Sequence, residues 1–263
     1  MRENTIKTIW KSGGAVINGW LGIPSSVAAE NMAQAQWDSL TVDLQHGLVD
    51  YQTAVTMLQA ISTTATIPLA RVPWMEPGII MKLLDAGAYG IICPMINSRA
   101  ECEAFVGACR YAPAGYRSFG PVRAGWYGGA DYYAHANNTV LAIAMIETKQ
   151  AVERIDEILT VPGLDGLYVG PNDLAITLGC GPSGVPTDKT VLDAIKTIAA
   201  AGKRYGIPSG IHCGSTQMAK EMIAIGYQFV TLLADNAFLA AAAKSAVNEM
   251  RTGSAGPKAQ GSY

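Results

Sequence analysis

The chain has 263 residues, of which 49% are hydrophobic and only 15% are charged, below the roughly 25% charged residues of an average domain. Its net charge is −2 without a basic run, which argues against nucleic acid or an anionic membrane as a partner. No apolar run approaches the ~20 residues of a membrane helix, and the polar start of the chain lacks a signal-peptide core. The five cysteines show no metal-type spacing, so we expect reduced thiols in a cytoplasmic protein.

Apolar segments alternate between strand-like and helix-like patterns along the chain, which is typical of a βα-repeat with a parallel sheet. Helix caps follow the strand-like segments at Ser25, Asp50, Ser98, Asp188 and Ser215. Eight such units predict a (β/α)8 TIM barrel, formed by one domain over residues 1–251. The predicted strands are 16–23, 40–44, 67–72, 89–95, 141–146, 164–169, 207–211 and 229–233.

Two segments depart from this alternation of strand-like and helix-like patterns. Residues 111–138 are rich in Gly and Pro and hold five Tyr and one Trp; a long loop of this kind is typically a lid or a binding loop. The tail, 252–263, is rich in Gly, Ser and Pro, and we expect it to be disordered.

Polar side chains fall where the predicted strands end, and the C-terminal rim of a TIM barrel is where its chemistry lies. Most of these residues are ionisable, whereas the strand bodies hold almost no charge. Asp85 precedes the fourth strand, so we expect it at the opposite rim, from which it could reach only the site of a neighbouring subunit. The predicted rim residues are Trp20, Asp43, His46, Arg71, Glu147, Asp173 and His212.

Glu147 and Asp173 end neighbouring strands and are 26 positions apart, so we expect them side by side. Two adjacent carboxylates repel unless a cation lies between them, and Mg²⁺ is commonly held by one or two carboxylates with substrate and water. The alternative is that both are helix N-caps. The turn at Gly170, Pro171 and Asn172 favours the site, because N–H groups at a helix start bind anions. A metal ion beside an anion-binding turn suits a 2-oxo acid, which could chelate the metal through its carboxylate and carbonyl oxygens.

Arg71 could stabilise negative charge on a carbonyl oxygen, or it could form a structural ion pair. His46 could be a general base, directly or through water, with Asp43 orienting its imidazole; the alternative is a hydrogen-bonded surface histidine. Asp85 could assist His46 across an interface or be a helix-end acid. His212 could contact the substrate or be a satisfied rim histidine.

Together these groups describe enolate chemistry, in which a divalent metal and Arg71 stabilise the enolate of a 2-oxo acid and His46 moves the proton. A Schiff-base mechanism would need a desolvated lysine inside the barrel. No lysine lies in a predicted strand, and Lys149 is a poor candidate.

The chain resembles the HpcH/HpaI aldolase family of metal-dependent class II pyruvate aldolases over residues 5–250. The block that ends in Gly170, Pro171, Asn172 and Asp173, with Glu147 upstream, is the most specific part of the likeness. The matching segments are 42–47 (VDLQHG), 69–72 (LARV), 81–88 (MKLLDAGA), 94–95 (PM), 110–120 (RYAPAGYRSFG), 146–148 (IET) and 163–174 (GLDGLYVGPNDL).

This resemblance implies that Glu147 and Asp173 bind Mg²⁺, Mn²⁺ or Co²⁺ and that Arg71 polarises the 2-oxo group. It implies that His46, Asp43 and Asp85 form the base system, and that N–H groups around 170–173 hold the pyruvate carboxylate beside Trp20. It also implies a homo-hexamer, a trimer of dimers, with the last helix exchanged between subunits, and a role of the 4-hydroxy-2-oxoheptanedioate aldolase type in aromatic compound catabolism.

Three departures from the family pattern concern specificity. Gln45 replaces a frequent Glu, and Met145 replaces a Gln beside the metal. His212 and the aromatic segment 123–127 have no family counterpart that we can assign. We expect them to shape the aldehyde pocket or the choice of donor, which includes hydroxypyruvate in a subgroup of the family.

The main hypothesis is a carbon–carbon lyase that cleaves a 4-hydroxy-2-oxo acid to pyruvate and an aldehyde. The alternative is a metal-dependent lyase of CoA thioesters, of the malyl-CoA or citramalyl-CoA type. It would need a basic groove for the CoA phosphates, for which the spacing of Arg110, Arg117 and Arg123 is a weak hint. A barrel without catalytic activity is a third reading, which the carboxylate pair, Arg71 and His46 oppose.

Overall fold

The computed structural model describes residues 1–253. Eight parallel strands close a barrel in chain order, with the last strand hydrogen-bonded to the first. The predicted barrel is confirmed, and each predicted strand end lies within two residues of the observed one. The strands are β1 (Val16–Leu21), β2 (Ser39–Asp43), β3 (Ile67–Arg71), β4 (Gly90–Cys93), β5 (Leu141–Met145), β6 (Gly166–Val169), β7 (Ser209–Cys213) and β8 (Phe229–Leu232).

The helices surround the barrel, and the predicted caps hold five of them: each cap side chain accepts a hydrogen bond from an N–H group in the first helical turn. The helices are α1 (Thr5–Lys11), α2 (Ser26–Ala33), α3 (Tyr51–Ile61), α4 (Pro77–Asp85), α5 (Arg99–Cys109), α6 (Val122–Gly128), α7 (Tyr132–Thr139), α8 (Lys149–Glu153), α9 (Ile155–Leu159), α10 (Pro171–Thr177), α11 (Lys189–Tyr205), α12 (Thr216–Ala224) and α13 (Asp235–Thr252).

The structure corrects the prediction that 111–138 is a loop without regular structure, because α6 and α7 lie within this part of the chain. The helix propensity of these two segments is weak. Ala124, Tyr132 and Ala136 are nevertheless buried in the same cluster as the barrel interior, and such tertiary packing overrides helix propensity. Helix α1 was not predicted either; its Ile6 is buried in that cluster.

A hydrogen-bonded polar layer crosses the barrel interior below the rim. The hydroxyl groups of Ser39 and Thr41 donate to Asn18 Oδ1, over 2.8 and 3.1 Å. Asn18 Nδ2 donates to Thr231 Oγ1 over 3.0 Å. All four side chains are buried, so this layer links β1, β2 and β8 through partners that are fixed in position.

Four of the five thiols, those of Cys93, Cys102, Cys109 and Cys213, are buried, whereas Cys180 is partly exposed. Burial raises the pKa of the Cys102, Cys109 and Cys213 thiols to about 12, and it raises that of Cys93 as well.

Helix α13 continues to Thr252, where the tail predicted to be disordered begins, and residues 254–263 of that tail lie outside the described residues. The helices between residues 1 and 253 include none with the length and apolar character needed to span a membrane.

Candidate active site

A cavity of about 170 Å³ opens at the C-terminal ends of the strands and is large enough only for a small substrate. A larger cavity of about 410 Å³ at the other end of the barrel has one charged residue in its wall, Lys203. The rim cavity is lined by Trp20, His46, Arg71, Met145, Glu147, Tyr168, Gly170, Pro171, Asn172, Asp173 and His212.

Arg71 ends β3 and lies against Asp43, which ends the neighbouring strand β2. Its Nε donates to Asp43 Oδ1 over 2.8 Å, and its Nη2 donates to Oδ2 over 2.6 Å. Burial disfavours the Asp43 carboxylate, but the hydrogen bonds and charge of Arg71 outweigh it and lower the Asp43 pKa. The third nitrogen of Arg71, Nη1, has no hydrogen-bond partner within residues 1–253, and Arg71 lines the cavity.

Asp43 also organises the loop that carries His46. Its carboxylate accepts hydrogen bonds from the N–H groups of Gln45 and Gly47, over 3.0 and 3.1 Å, and from Trp20 Nε1 over 3.1 Å. It reaches the His46 N–H at 3.4 Å. The predicted contact with the His46 imidazole is not among the hydrogen bonds of the described residues, because both oxygens already have donors. His46 itself is exposed at the cavity.

Glu147 follows β5 and is buried, with 2% of its surface exposed. Its Oε1 accepts a hydrogen bond from the Met95 N–H over 2.8 Å. Its Oε2 lies against Gly170, where a Cβ atom would be 2.3 Å away, so a side chain at residue 170 would displace this carboxylate. Burial raises the Glu147 pKa to about 7, and the nearby Asp173 charge adds to the rise.

Asp173 lies in the first turn of α10, exposed at the cavity, next to the Gly170 to Asn172 turn. Residues 1–253 contain no cluster of three or more His, Cys, Asp or Glu side chains suited to a metal, so the chain offers two carboxylates. A hard divalent cation fits this pair: it prefers oxygen ligands, it can complete its shell with substrate and water, and it would offset the cost of the buried Glu147 charge.

His212 on β7 lies at the cavity wall, beside a stacked pair of aromatic rings. Its Nδ1 is 3.2 Å from the Tyr168 hydroxyl. The Trp20 ring stacks on Tyr168 at 5.6 Å and meets the His212 ring edge-on at 5.4 Å. Burial and the Arg71 charge lower the His212 pKa to about 4, so the imidazole is neutral near pH 7.

Asp85 is not part of this cavity. It ends α4, at the other end of the barrel, and accepts a hydrogen bond from Arg117 Nη2 over 2.6 Å. Its predicted role at the rim therefore requires a second subunit.

Sequence reasoning missed Tyr168, which lines the cavity from β6. The signal that could have found it is the alternation of side chains along a strand, in which residues two apart face the same side. Tyr168 is two residues before Gly170, which the sequence places at the site. Met145 also lines the cavity; it precedes Glu147 by two residues and had been noted only as a departure from the family pattern.

Comparison with known proteins finds a family model and relatives that match most of the chain. The family model described as HpcH/HpaI aldolase/citrate lyase matches residues 19–242. The chain is 42% identical to hydroxypyruvate/pyruvate aldolase of Rhizorhabdus wittichii over 252 residues, which cover 94% of this chain and 99% of the relative. It is 35% identical to 4-hydroxy-2-oxo-heptane-1,7-dioate aldolase of Escherichia coli, over 92% of this chain and 93% of the relative.

Among solved structures, an HpcH/HpaI aldolase/citrate lyase family protein from Burkholderia cenocepacia matches with a TM-score of 0.89. It is 32% identical, and the match covers 95% of this chain and 100% of that one. The likeness therefore extends over nearly the whole length of this chain.

Proposed function

The chain belongs to the HpcH/HpaI aldolase/citrate lyase family, and from this premise we propose that it is a divalent-metal-dependent aldolase. It cleaves a 4-hydroxy-2-oxo acid reversibly to an aldehyde and pyruvate or a related 2-oxo acid such as hydroxypyruvate. The observation that carries this proposal is the small rim cavity, in which Glu147, Asp173 and Arg71 meet. The carboxylates of Glu147 and Asp173 suit a metal ion. This ion and the Arg71 guanidinium together suit the carboxylate and carbonyl oxygens of a 2-oxo acid.

A Mg²⁺, Mn²⁺ or Co²⁺ ion held by Glu147 and Asp173 would supply positive charge that polarises the substrate carbonyl. Arg71 donates from Nη1 to the 2-oxo oxygen and stabilises the charge that develops there. Asp43 holds this guanidinium in place through both of its oxygens, so little reorganisation is needed when the charge forms.

The substrate carboxylate lies at the start of α10. The N–H groups of Asn172 and Asp173 are in the first helical turn, which leaves them without partners inside the helix. They donate to the carboxylate and set the orientation of the 2-oxo acid.

His46 moves the proton between the 4-hydroxyl group and solvent, directly or through a water molecule. Its imidazole is exposed at the cavity, and Asp43 fixes the loop on which it is carried.

We extend the proposal to the assembly. Leu239, Val247 and Met250 of α13 are 65%, 47% and 88% exposed, and such an apolar helix suits burial against another subunit in a homo-hexamer. In that assembly Asp85 reaches His46 of the partner subunit and completes the base system.

The reading as a CoA-thioester lyase has less support. Its weak hint was a basic groove at Arg110, Arg117 and Arg123. Arg110 donates to Val140, Gly163 and Asp165, and Arg117 pairs with Asp85. Arg123 donates to the carbonyl groups of Ala86 and Leu58 and to the Ser62 hydroxyl. All three therefore have structural partners.

The test follows the C3 protons of pyruvate by NMR in heavy water, after chelation and after addition of Mg²⁺ or Mn²⁺. We expect exchange that depends on the metal and is lost in Glu147→Gln and in Asp173→Asn. Glu153→Gln, an exposed acid on α8, is the matched control and should behave as the wild type. Exchange in the chelated Asp173→Asn protein would contradict the metal site, and tight binding of acetyl-CoA without exchange would favour the CoA reading.

A further inference from the structure

Met95, whose N–H group donates to the Glu147 carboxylate, has an unusual backbone conformation. Its φ is 57°, in the left-handed region that a residue with a side chain adopts only at a cost in free energy. Between residues 1 and 253, only Gln36 and Leu233 share this feature among residues other than glycine. Such strain persists where surrounding contacts fix the backbone, and it concentrates at functional sites. The contacts of Met95 should therefore account for its conformation.

Both polar groups of the Met95 backbone have a partner. The N–H group donates to Glu147 Oε1 over 2.8 Å. The carbonyl oxygen accepts a hydrogen bond from Asn97 Nδ2 over 2.9 Å. Met95 is therefore clamped between a carboxylate that follows β5 and an amide two residues further along its own loop.

The orientation of the Asn97 amide is set by Thr148, the residue after Glu147. Thr148 caps α8, because its hydroxyl oxygen accepts a hydrogen bond from the Ala151 N–H over 3.0 Å. Its hydroxyl proton is donated to Asn97 Oδ1. Since Oδ1 is the acceptor in this contact, Nδ2 is the donor to the Met95 carbonyl.

These contacts close a hydrogen-bonded ring that joins the loop after β4 to the loop after β5. The ring consists of Glu147, Met95, Asn97 and Thr148, the last of which follows the first in the chain. The Asn97 N–H also donates to Oε2 of Glu101 in the first turn of α5, over 2.7 Å, so the ring is anchored to that helix. Glu147 and Thr148 are buried, so water competes little for these hydrogen bonds.

The ring uses one oxygen of Glu147 and leaves the other. Oε1 is bonded to the Met95 N–H, whereas Oε2 has no hydrogen-bond partner in the described part of the chain. Oε2 lies against Gly170, in the turn that leads to Asp173. A metal-binding carboxylate is commonly oriented in this way, by a hydrogen bond on the oxygen that does not meet the metal.

We propose that Asn97 is a positioning residue for the metal site. By holding Met95 in its left-handed conformation, it fixes the N–H group that orients the Glu147 carboxylate. The inference rests on the proposed metal-dependent aldolase and adds to it a residue that acts through Met95 rather than on metal or substrate. Without Asn97, residue 95 returns to an ordinary φ, and its N–H group turns away from Glu147.

Calorimetric titration of the chelated protein with Mn²⁺ tests this role. Asn97→Ala should weaken Mn²⁺ binding by about tenfold, as is usual when a metal ligand loses an outer partner. Asn137→Ala is the matched control, because its amide also holds a backbone, that of Tyr111, through two hydrogen bonds of 2.7 and 3.0 Å. This variant should bind Mn²⁺ as the wild type does. Equal Mn²⁺ affinities of Asn97→Ala and the wild type would overturn the inference.

A second substitution separates positioning from a general effect on stability. Glycine adopts a φ of 57° without strain, so it does not need the Asn97 anchor. Adding Met95→Gly to Asn97→Ala should therefore restore much of the Mn²⁺ affinity, whereas a merely structural loss would deepen, because glycine makes the loop more flexible. Gln36→Gly, which removes a left-handed residue between α2 and β2, should restore none. A failure of Met95→Gly to restore affinity would refute an action through the Met95 backbone.

Hydrogen exchange of the Met95 amide provides a readout without metal or substrate. The chain has 10 Met, so selective ¹⁵N labelling of methionine gives few NMR signals, and Met95→Leu identifies the Met95 signal by its loss. In the metal-free protein, Asn97→Ala should speed the exchange of this amide proton by about tenfold, the effect of one hydrogen bond. Equal exchange rates in the wild type and Asn97→Ala would refute the inference.

The outcomes separate this inference from the aldolase proposal. If Glu147→Gln loses Mn²⁺ binding and Asn97→Ala does not, only the role of Asn97 is refuted. If the wild type does not bind Mn²⁺, the metal site fails and the proposed function fails with it. The exchange rate of the Met95 amide then decides alone whether Asn97 fixes the N–H group that orients the Glu147 carboxylate.

Discussion

The Arg71 guanidinium and the Asp43 carboxylate face each other across neighbouring strands and share two hydrogen bonds, of 2.8 and 2.6 Å. Their side chains are only 10% and 4% exposed, so the charges depend on each other rather than on water. One pair therefore both positions the guanidinium that we propose contacts the substrate and ties the His46 loop to the barrel.

Asp43→Ala should destabilise the protein by about 3–5 kcal/mol, because it leaves a buried arginine without its partner. The exchange of pyruvate protons should also fall sharply, since Arg71 would lose its fixed orientation. Urea unfolding and the NMR exchange assay measure the two effects. Asp193→Ala removes an exposed pair with Lys189 and should change neither; equal losses in both variants would contradict a special role for Asp43.

Gly170→Ala should abolish the metal-dependent reaction without unfolding the barrel. The added Cβ would be 2.3 Å from Glu147 Oε2, so the carboxylate must move from its place beside Asp173. Calorimetry should show weaker Mn²⁺ binding. The control is Gly125→Ala, where no atom lies within 4 Å of the new Cβ. Unchanged Mn²⁺ affinity in Gly170→Ala would show that the position of the Glu147 carboxylate against Gly170 does not matter for metal binding.

His212 should make the protein less stable as the pH falls. Its folded pKa is about 4, against an ordinary value of 6.5, so between these values the unfolded chain takes up a proton that the folded one does not. The unfolding free energy therefore falls with pH, by up to about 3 kcal/mol. His212→Gln lacks this loss of unfolding free energy. Plots of unfolding free energy against pH for the wild type and for His212→Gln should therefore diverge between pH 7 and 4. Parallel curves would contradict a buried neutral imidazole.

Subunits with complementary defects should restore activity if Asp85 acts across an interface. His46→Ala and Asp85→Ala should each be nearly inactive, and refolding them together should recover activity in mixed assemblies. Glu147→Gln refolded with Asp173→Asn is the control, because both ligands belong to one chain and no intact pair can form. Recovery in neither mixture would place Asp85 outside the catalytic system.

The barrel was predictable because each strand is an apolar run between helix caps, and Glu147, Arg71 and His46 stood out as polar residues where such runs end. The part that escaped prediction depends on contacts between strands. Asp43 was expected on the imidazole of a near neighbour in sequence, yet it pairs with Arg71, because adjacent parallel strands place these two residues side by side. Tyr168 looked like an ordinary core residue until its partner on β7 was known.

The buried sulfur atoms provide an internal reporter of how the barrel opens. Cys93, Cys102, Cys109 and Cys213 lie on three different elements, β4, α5 and β7, and their raised pKa keeps them as unreactive thiols while the core is closed. A thiol reagent would label the partly exposed Cys180 first. Each later modification, located by mass spectrometry, would then show which wall of the barrel separates first and whether substrate and metal delay it.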